Sequence, residues 1–406
     1  MKAVSRKRTK KLLQYVERTD FQIWAITLVL CCFGAVMVYS ASSYICANSK
    51  DYNYDSFYLF RKQYLFMILG FAGMWVLQYI NYNILKIFAW AAYLFSLLCI
   101  LLLIPFGVEV KGAKRWLNLG PISFQVAELV KLCLILFLAY LVNKYYRRLE
   151  SERVKMTWML WGAGALPAGL LLVISNDLSS SVVVLGMTFL ISLVCIRTGK
   201  LHGSVFAVVV ILAALYIWSI AINMPTPEEA ETLPFRIRRI VAWLDTERYA
   251  SGLGYQVIQG LYAIGSGGIL GKGLGSSSQK YGFLPEAQND MIFSVICEEL
   301  GLVGGVTVIL LMIYLLYAIY KVTWNAENIY GSVLCMGVFF HISLQTVINI
   351  AVNIDAFPNT GLTLPFFSYG GTSICFLLIE IGIVLSVSRY HMIKSAGRLY
   401  RKLKKN

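Results

Sequence analysis

Several acids and bases in this sequence stand within or beside long apolar runs, where a charge costs roughly 2.5–3.5 kcal/mol to place in a bilayer and therefore needs a reason. Glu128 and Lys131 lie three residues apart in Glu128-Leu-Val-Lys-Leu132, so a helix puts them on one face. They can neutralise each other locally, or Lys131 can face a cavity and hold a carboxylate or phosphate. Asp290 ends the segment Leu284-Pro-Glu-Ala-Gln-Asn-Asp290 and opens the next apolar run. An acid there can complement a helix N-terminus or serve a reaction. Glu298 and Glu299 follow two turns deeper. Adjacent helical side chains point about 100° apart, so at most one faces a given partner. One of them reads as a structural packing contact. Asp177 and Glu380 complete the acids at or in apolar runs.

Cations and helix breakers suggest where an anion would bind. Lys111-Gly-Ala-Lys-Arg-Trp-Leu-Asn-Leu-Gly120 offers three cations and a Trp. That suits phosphate capture at headgroup level, or an aromatic anchor with ordinary flanking charges. Phe235-Arg-Ile-Arg-Arg-Ile-Val-Ala-Trp-Leu244 puts Arg236 and Arg239 on one helical face and Ile237, Ile240, Val241 and Leu244 largely on the other, as an interfacial amphipathic helix does. The glycine run from Gly265 to Gly275 lacks the Gly-Lys-Ser/Thr that opens a helix in a P-loop, which excludes an ATPase. Flexible turns or close helix approach account for it better. Asn359 to Ser373 contains Pro365, Gly370 and Gly371 and must break helix. At membrane depth such backbone lines a cavity or makes a re-entrant turn.

The elements that position these residues are membrane helices. The chain is 58% hydrophobic and 14% charged, against about 25% charged in soluble proteins, and its mean hydropathy is +0.67. The reading is all-α and polytopic, with about ten spans near 21–40, 63–80, 84–105, 122–142, 157–174, 181–197, 203–223, 291–320, 329–353 and 372–389. The eighth is long enough to extend past the bilayer. Residues 1–20 form a basic cytoplasmic N-terminus, 21–390 the membrane domain and 391–406 a basic cytoplasmic tail. The seven Lys/Arg in the first 18 residues, the seven from Arg389 onward and the basic stretch Lys144 to Lys155 fit the positive-inside rule. Both termini are then cytoplasmic, and residues 224–290 form a large external loop between helices 7 and 8. The net charge of +15 is thus accounted for by membrane topology, not nucleic acid. The first span is too long for a signal peptide and lacks a clean cleavage site. The nine cysteines form no framework; eight fall in spans and Cys46 in an external loop, and no metal motif appears.

Four patches, taken together, carry a resemblance: Lys111 to Leu117; Glu128 to Leu132; Gly254-Tyr-Gln-Val-Ile-Gln259 through Leu284 to Phe293 and Glu298-Glu-Leu-Gly301; and Thr363-Leu-Pro-Phe-Phe-Ser-Tyr-Gly-Gly-Thr-Ser373. In order and topology the chain resembles the SEDS proteins (shape, elongation, division and sporulation) of the FtsW, RodA and SpoVE type over roughly residues 20–392. Leu261-Tyr-Ala-Ile-Gly-Ser-Gly-Gly268 looks more like the division and sporulation branch. Three patches depart from the family pattern. Gln125-Val-Ala-Glu128 stands for Gln-Pro-Ser-Glu, Ser175-Asn-Asp-Leu178 for Gln-Pro-Asp-Leu, and Gln288-Asn-Asp290 for His-Thr-Asp. The retained acids and Lys131 keep activity plausible; the lost prolines and His leave specialised substrate choice or reduced activity open.

The resemblance implies a peptidoglycan glycosyltransferase in the bacterial cytoplasmic membrane. It would polymerise lipid II on the external face into β-1,4 glycan, beside a class B penicillin-binding protein and other divisome membrane proteins. Inverting transfer needs a base at the acceptor hydroxyl and stabilisation of the departing pyrophosphate. Asp290 is the expected base, with Lys131 paired to it or to substrate. Lys111, Lys114, Arg115, Arg236, Arg239, Lys272 and Lys280 are the expected pyrophosphate cations, and Glu128, Glu286 and Ser368 join the substrate-binding set. A divalent cation, Mg or Mn, could share the charge, though no motif demands one. Two alternatives come from other classes: a lipid II flippase, and an inactive divisome scaffold.

Overall fold

The computed structural model describes residues 20–110, 113–119 and 122–405, without the side chains of 110, 119, 122 and 393–405. The expected site residue Lys111 lies outside the described residues. Among those described, nine helices are long and apolar enough to cross a membrane. They are α1 (Phe21–Asn48), α3 (Leu85–Phe106), α4 (Val126–Lys144), α5 (Arg153–Ile174), α6 (Leu178–Cys195), α7 (Gly199–Ile222), α11 (Ile292–Asn325), α12 (Ile329–Asn353) and the first 22 residues of α13 (Gly371–Lys405). The expected second span is the 20-residue α2 (Tyr58–Leu77), whose first turns carry Arg61, Lys62 and Gln63; it packs along α13. Between α7 and α11 lie three shorter helices, α8 (Pro227–Thr232), α9 (Phe235–Leu244) and α10 (Tyr255–Gly267). Cys46, expected in a loop, is buried inside α1.

Helix α4 is the centre of the bundle. It packs against α3, α5, α6, α12 and α13 and is buried nearly all round. Lys131, fully buried, therefore sits in the protein core rather than facing lipid. Helix α7 is the opposite case. It is apolar on every side, and among its residues only His202 is buried, as suits a helix surrounded by lipid.

Two local structures differ from the sequence expectation. Residues 107–125 form a three-stranded antiparallel sheet, β1 (Gly107–Val110), β2 (Ala113–Leu119) and β3 (Ile122–Gln125), where a plain loop was expected. A bulge breaks the alternation along β2: Val108 pairs with Trp116 and Glu109 with Lys114, which leaves Arg115 unpaired with β1. The start of the expected fourth span, 122–125, belongs to this sheet. The eighth span does not run straight: Gly301 adopts φ 67°, ψ −166° and breaks α11. The glycine run fills the break. Lys272 N donates to Glu298 O (3.0 Å), Gly273 N to Glu299 O (2.9 Å) and Leu302 N to Gly268 O (2.9 Å), so backbone groups freed by the kink are satisfied. A Cβ on Gly271 would lie 2.2 Å from Glu299 O, which is why this approach needs glycine. The run is a close-approach device, as the sequence suggested.

Candidate active site

Asp290 lies at the mouth of α11 and is buried. Its backbone is fixed from α12: Asn349 Nδ2 and Asn353 Nδ2 donate to Asp290 O at 2.8 and 2.9 Å. Its carboxylate accepts from Gln256 Nε2 of α10 at 3.2 Å on each oxygen. Burial pushes the carboxyl up to about 6, the Glu286 charge adds to the rise, and Arg239 opposes it. Such a group is ionised near neutral pH yet basic enough to accept a proton.

Arg239 approaches from α9. A Cβ built on Gly361 would lie 3.7 Å from Arg239 Nη2 and 3.9 Å from Asp290 Oδ2, so the two groups converge on this glycine. Gly361 has φ +71°, a conformation that side chains disfavour. The segment 359–373 is thus a pocket wall. Arg239 also stacks on Phe235, with its guanidinium 4.3 Å from the ring centroid.

Helix α9 forms over the expected residues, but Ile240, expected opposite the arginines, lies on their side, because positions 236 and 240 are one turn apart. Val241 and Ala242 pack with Ala230 and Tyr249, while the arginine face turns to a cavity of about 280 Å³. Arg115, Arg236 and Arg239 line it together with Leu178, Val182, Ile217 and Ile240. A second hollow, of about 450 Å³, shares Arg115 and Arg236 and adds Arg238; a third, of about 190 Å³, joins Arg238 and Arg239 to Gln256 and Asn359. Arg115 reaches the cavity from the bulge in β2, and its Nε lies 3.9 Å from Asp177 Oδ2. Arg236 Nη2 donates to Leu172 O (3.0 Å) and Asn176 Oδ1 (2.9 Å). The buried Nε atoms of Arg115 and Arg238 have no hydrogen-bond partner among the described residues. Unsatisfied cationic donors beside an apolar hollow suit an anionic headgroup with a hydrocarbon tail.

Several expected site residues stand elsewhere. Lys131 does not pair with Asp290: its Nζ donates to Glu128 Oε1 (2.8 Å) and Gln345 Oε1 (2.9 Å). The i, i+3 geometry satisfied the pair locally, so Glu128 is engaged as well. Lys272 Nζ pairs with Glu298 (2.6 Å), and Lys280 Nζ with Glu299 (2.7 Å) and Ser40 Oγ (2.9 Å). These lysines neutralise buried acids and leave the pyrophosphate set; the acids take separate partners, and both are structural. Lys114, next to the bulge in β2, donates to Ile104 O at 3.3 Å. Ser368 Oγ donates to Asn289 O (2.6 Å) and accepts from Leu364 N (2.7 Å), so it shapes the wall. Glu286 accepts from Asn289 Nδ2 and acts on Asp290 through its charge. The sequence reading missed Arg238, Gln256, Gln345, Asn349 and Asn353. The last three, with His341, recur every fourth residue of an apolar span, and that stripe was the available signal.

A buried acid and an arginine-lined apolar hollow set in a bundle of apolar helices describe a multi-pass membrane protein. The chain belongs to the FtsW/RodA/SpoVE family of cell cycle proteins, whose model matches residues 21–393. It is 34% identical to stage V sporulation protein E of Bacillus subtilis over 376 residues, 91% of this chain and 97% of that protein. It is 35% identical to the probable peptidoglycan glycosyltransferase FtsW of Geobacter metallireducens, over 93% of this chain and 96% of that one. Among solved structures, a chain from a peptidoglycan synthase complex, described as coordinating polymerization and crosslinking, superposes with TM-score 0.72 at 27% identity, covering 92% of this chain and 99% of that one. Thermus thermophilus RodA superposes with TM-score 0.62 at 26% identity, covering 92% and 97%.

Proposed function

We propose that this membrane protein is a peptidoglycan glycosyltransferase that polymerises lipid II into β-1,4 glycan strands, serving division or sporulation beside a class B penicillin-binding protein. The observation that carries the reading is the convergence of Asp290 and Arg239 on Gly361 at the edge of the arginine-lined hollow. Asp290 takes the proton of the attacking sugar hydroxyl. The hydroxyl oxygen bonds to the donor's anomeric carbon as the carbon–oxygen bond to pyrophosphate breaks. Arg115, Arg236, Arg238 and Arg239 receive the negative charge that leaves, and the apolar wall accommodates the prenyl chain. We place the end carrying α8, α9 and α10 outside the cytoplasmic membrane and both termini inside; the basic stretch Lys144 to Lys155 supports this. The groups around the hollow are cations, and no cluster of three or more His, Cys, Asp or Glu side chains occurs among the described residues. That donor set does not fit a metal held by the protein itself, so a Mg or Mn ion would have to arrive with the pyrophosphate.

The test is glycan-strand formation from purified lipid II by the protein with its cognate penicillin-binding protein. Strands released with undecaprenyl pyrophosphate are expected. Transbilayer movement of lipid II without polymer would favour a flippase, and neither activity would favour a scaffold.

A further inference from the structure

Below Asp290, the stripe on α12 continues into a buried polar network that the proposed chemistry does not use. Gln345 Nε2 donates to Thr363 O (3.1 Å) and Oγ1 (3.2 Å), two residues beyond Gly361. Gln345 Oε1 lies 2.9 Å from Lys131 Nζ and 3.0 Å from His341 Nε2. His341 Nδ1 lies 2.8 and 3.0 Å from the two carboxylate oxygens of Glu380 on α13. Lys131, Gln345, His341 and Glu380 are all fully buried.

Hydrogen-bond chemistry fixes where the protons sit. Thr363 O only accepts, so Gln345 must turn its NH2 toward it and its oxygen toward Lys131 and His341. That oxygen only accepts, so His341 Nε2 must carry a proton. Nδ1 then faces Glu380 as a second donor to a carboxylate, or as an acceptor from the neutral acid. Either arrangement keeps the Nε2 proton on Gln345. Without Glu380, Nδ1 loses its partner and nothing on α13 holds the ring, so the Nε2–H is free to swing away from Gln345 Oε1.

We infer that His341 and Glu380 are positioning residues for the transfer reaction. By anchoring the ring through Nδ1 they keep Nε2–H on Gln345 Oε1 and fix that amide, which suspends the Thr363 segment and so sets Gly361 between Asp290 and Arg239. The inference rests on the role proposed for Asp290. What matters in it is a hydrogen bond at Nδ1 that anchors the ring, not the charge of Glu380. Glu380→Gln can donate its amide N–H to Nδ1 and keep the ring anchored; Glu380→Leu cannot.

The experiment measures kcat and KM for lipid II with the full-length protein and its penicillin-binding partner, and follows amide hydrogen exchange across residues 359–366 in the same variants. Glu380→Gln should stay within about twofold of wild type in both kinetic constants. Glu380→Leu should lower kcat by about tenfold to a hundredfold at nearly unchanged KM, because a displaced wall misaligns the reacting groups. It should also speed exchange across 359–366. Wild-type kcat and exchange in folded Glu380→Leu would overturn the inference. So would a Glu380→Gln variant as impaired as Glu380→Leu, since charge would then be the requirement. Should Glu380→Leu fail to fold, the double variant His341→Leu, Glu380→Leu removes both partners and leaves no lone buried charge. It should show the same loss of kcat, and wild-type kcat in it would equally overturn the inference. If the wild-type protein makes no polymer, the proposed function fails, while the exchange comparison still decides the positioning role.

Discussion

Asp290→Asn should stabilise the protein while disabling it, and the size of that effect follows from its surroundings. Burial and the Glu286 charge raise the carboxyl from 3.8 to about 6. A folded-state pKa above the unfolded value means that the folded chain binds more protons between the two, so stability falls as pH rises through this window. The cost of ionising Asp290 is absent below about pH 4 and complete above about pH 6. A shift of about two units corresponds to about 3 kcal/mol. Asn removes the charge and keeps an oxygen for Gln256 Nε2, so near pH 8 the variant should be more stable by up to about 3 kcal/mol, and near pH 4 by nothing. Thermal unfolding of both proteins in one detergent, across that range, measures the gap. The gap should widen from about pH 4 to about pH 6 and then level off. A gap of constant size, or a wild type more stable than the variant near pH 8, would refute the electrostatic account of Asp290.

Three further outcomes follow from named contacts. Arg239→Ala removes the cation that opposes the rise at Asp290; kcat should fall about 10²-fold, and the ascending limb of the pH–rate profile should move above about pH 6. Lys280→Met strips Glu299 of its buried cation and leaves only Ser40, so it should destabilise the fold by about 3–5 kcal/mol in denaturation, whereas the exposed pair Lys155–Glu152 should be worth about 0–1 kcal/mol. Cysteines placed at the exposed positions Ser276 and Ser151 report topology. An impermeant thiol reagent should label Ser276→Cys, and not Ser151→Cys, in cells stripped of their wall; the reverse pattern would invert the orientation.

The spans and the amphipathic α9 were legible in the sequence because both rest on patterns of apolar residues, which hold whatever the tertiary partners are. The glycine run was legible for a related reason: so many glycines in one stretch imply close backbone approach. The pairing of charges was not legible. Lys131, Lys272 and Lys280 were candidates for substrate by type and position, yet each is held by an acid near in space, two of them across a loop whose path is set by the break at Gly301. Arg115 lines the hollow from a bulge in a strand that read as loop, a placement the sequence did not supply. The stripe His341, Gln345, Asn349 and Asn353 was visible at four-residue spacing, but attention to ionisable side chains passed over its amides. Amides carry little cost signal in a span, and their meaning depends on what faces them.

Whether Asp290 acts as the base of a lipid II polymerase is decided by a direct comparison. Wild-type protein and Asp290→Asn, each purified with the cognate penicillin-binding protein, are given lipid II at about pH 7.5, and glycan strands are resolved by length. General-base loss typically lowers the rate by about 10²–10⁴-fold. Wild type should give strands, and a folded, partner-bound Asp290→Asn next to none. Polymer made by Asp290→Asn at close to the wild-type rate would contradict that role.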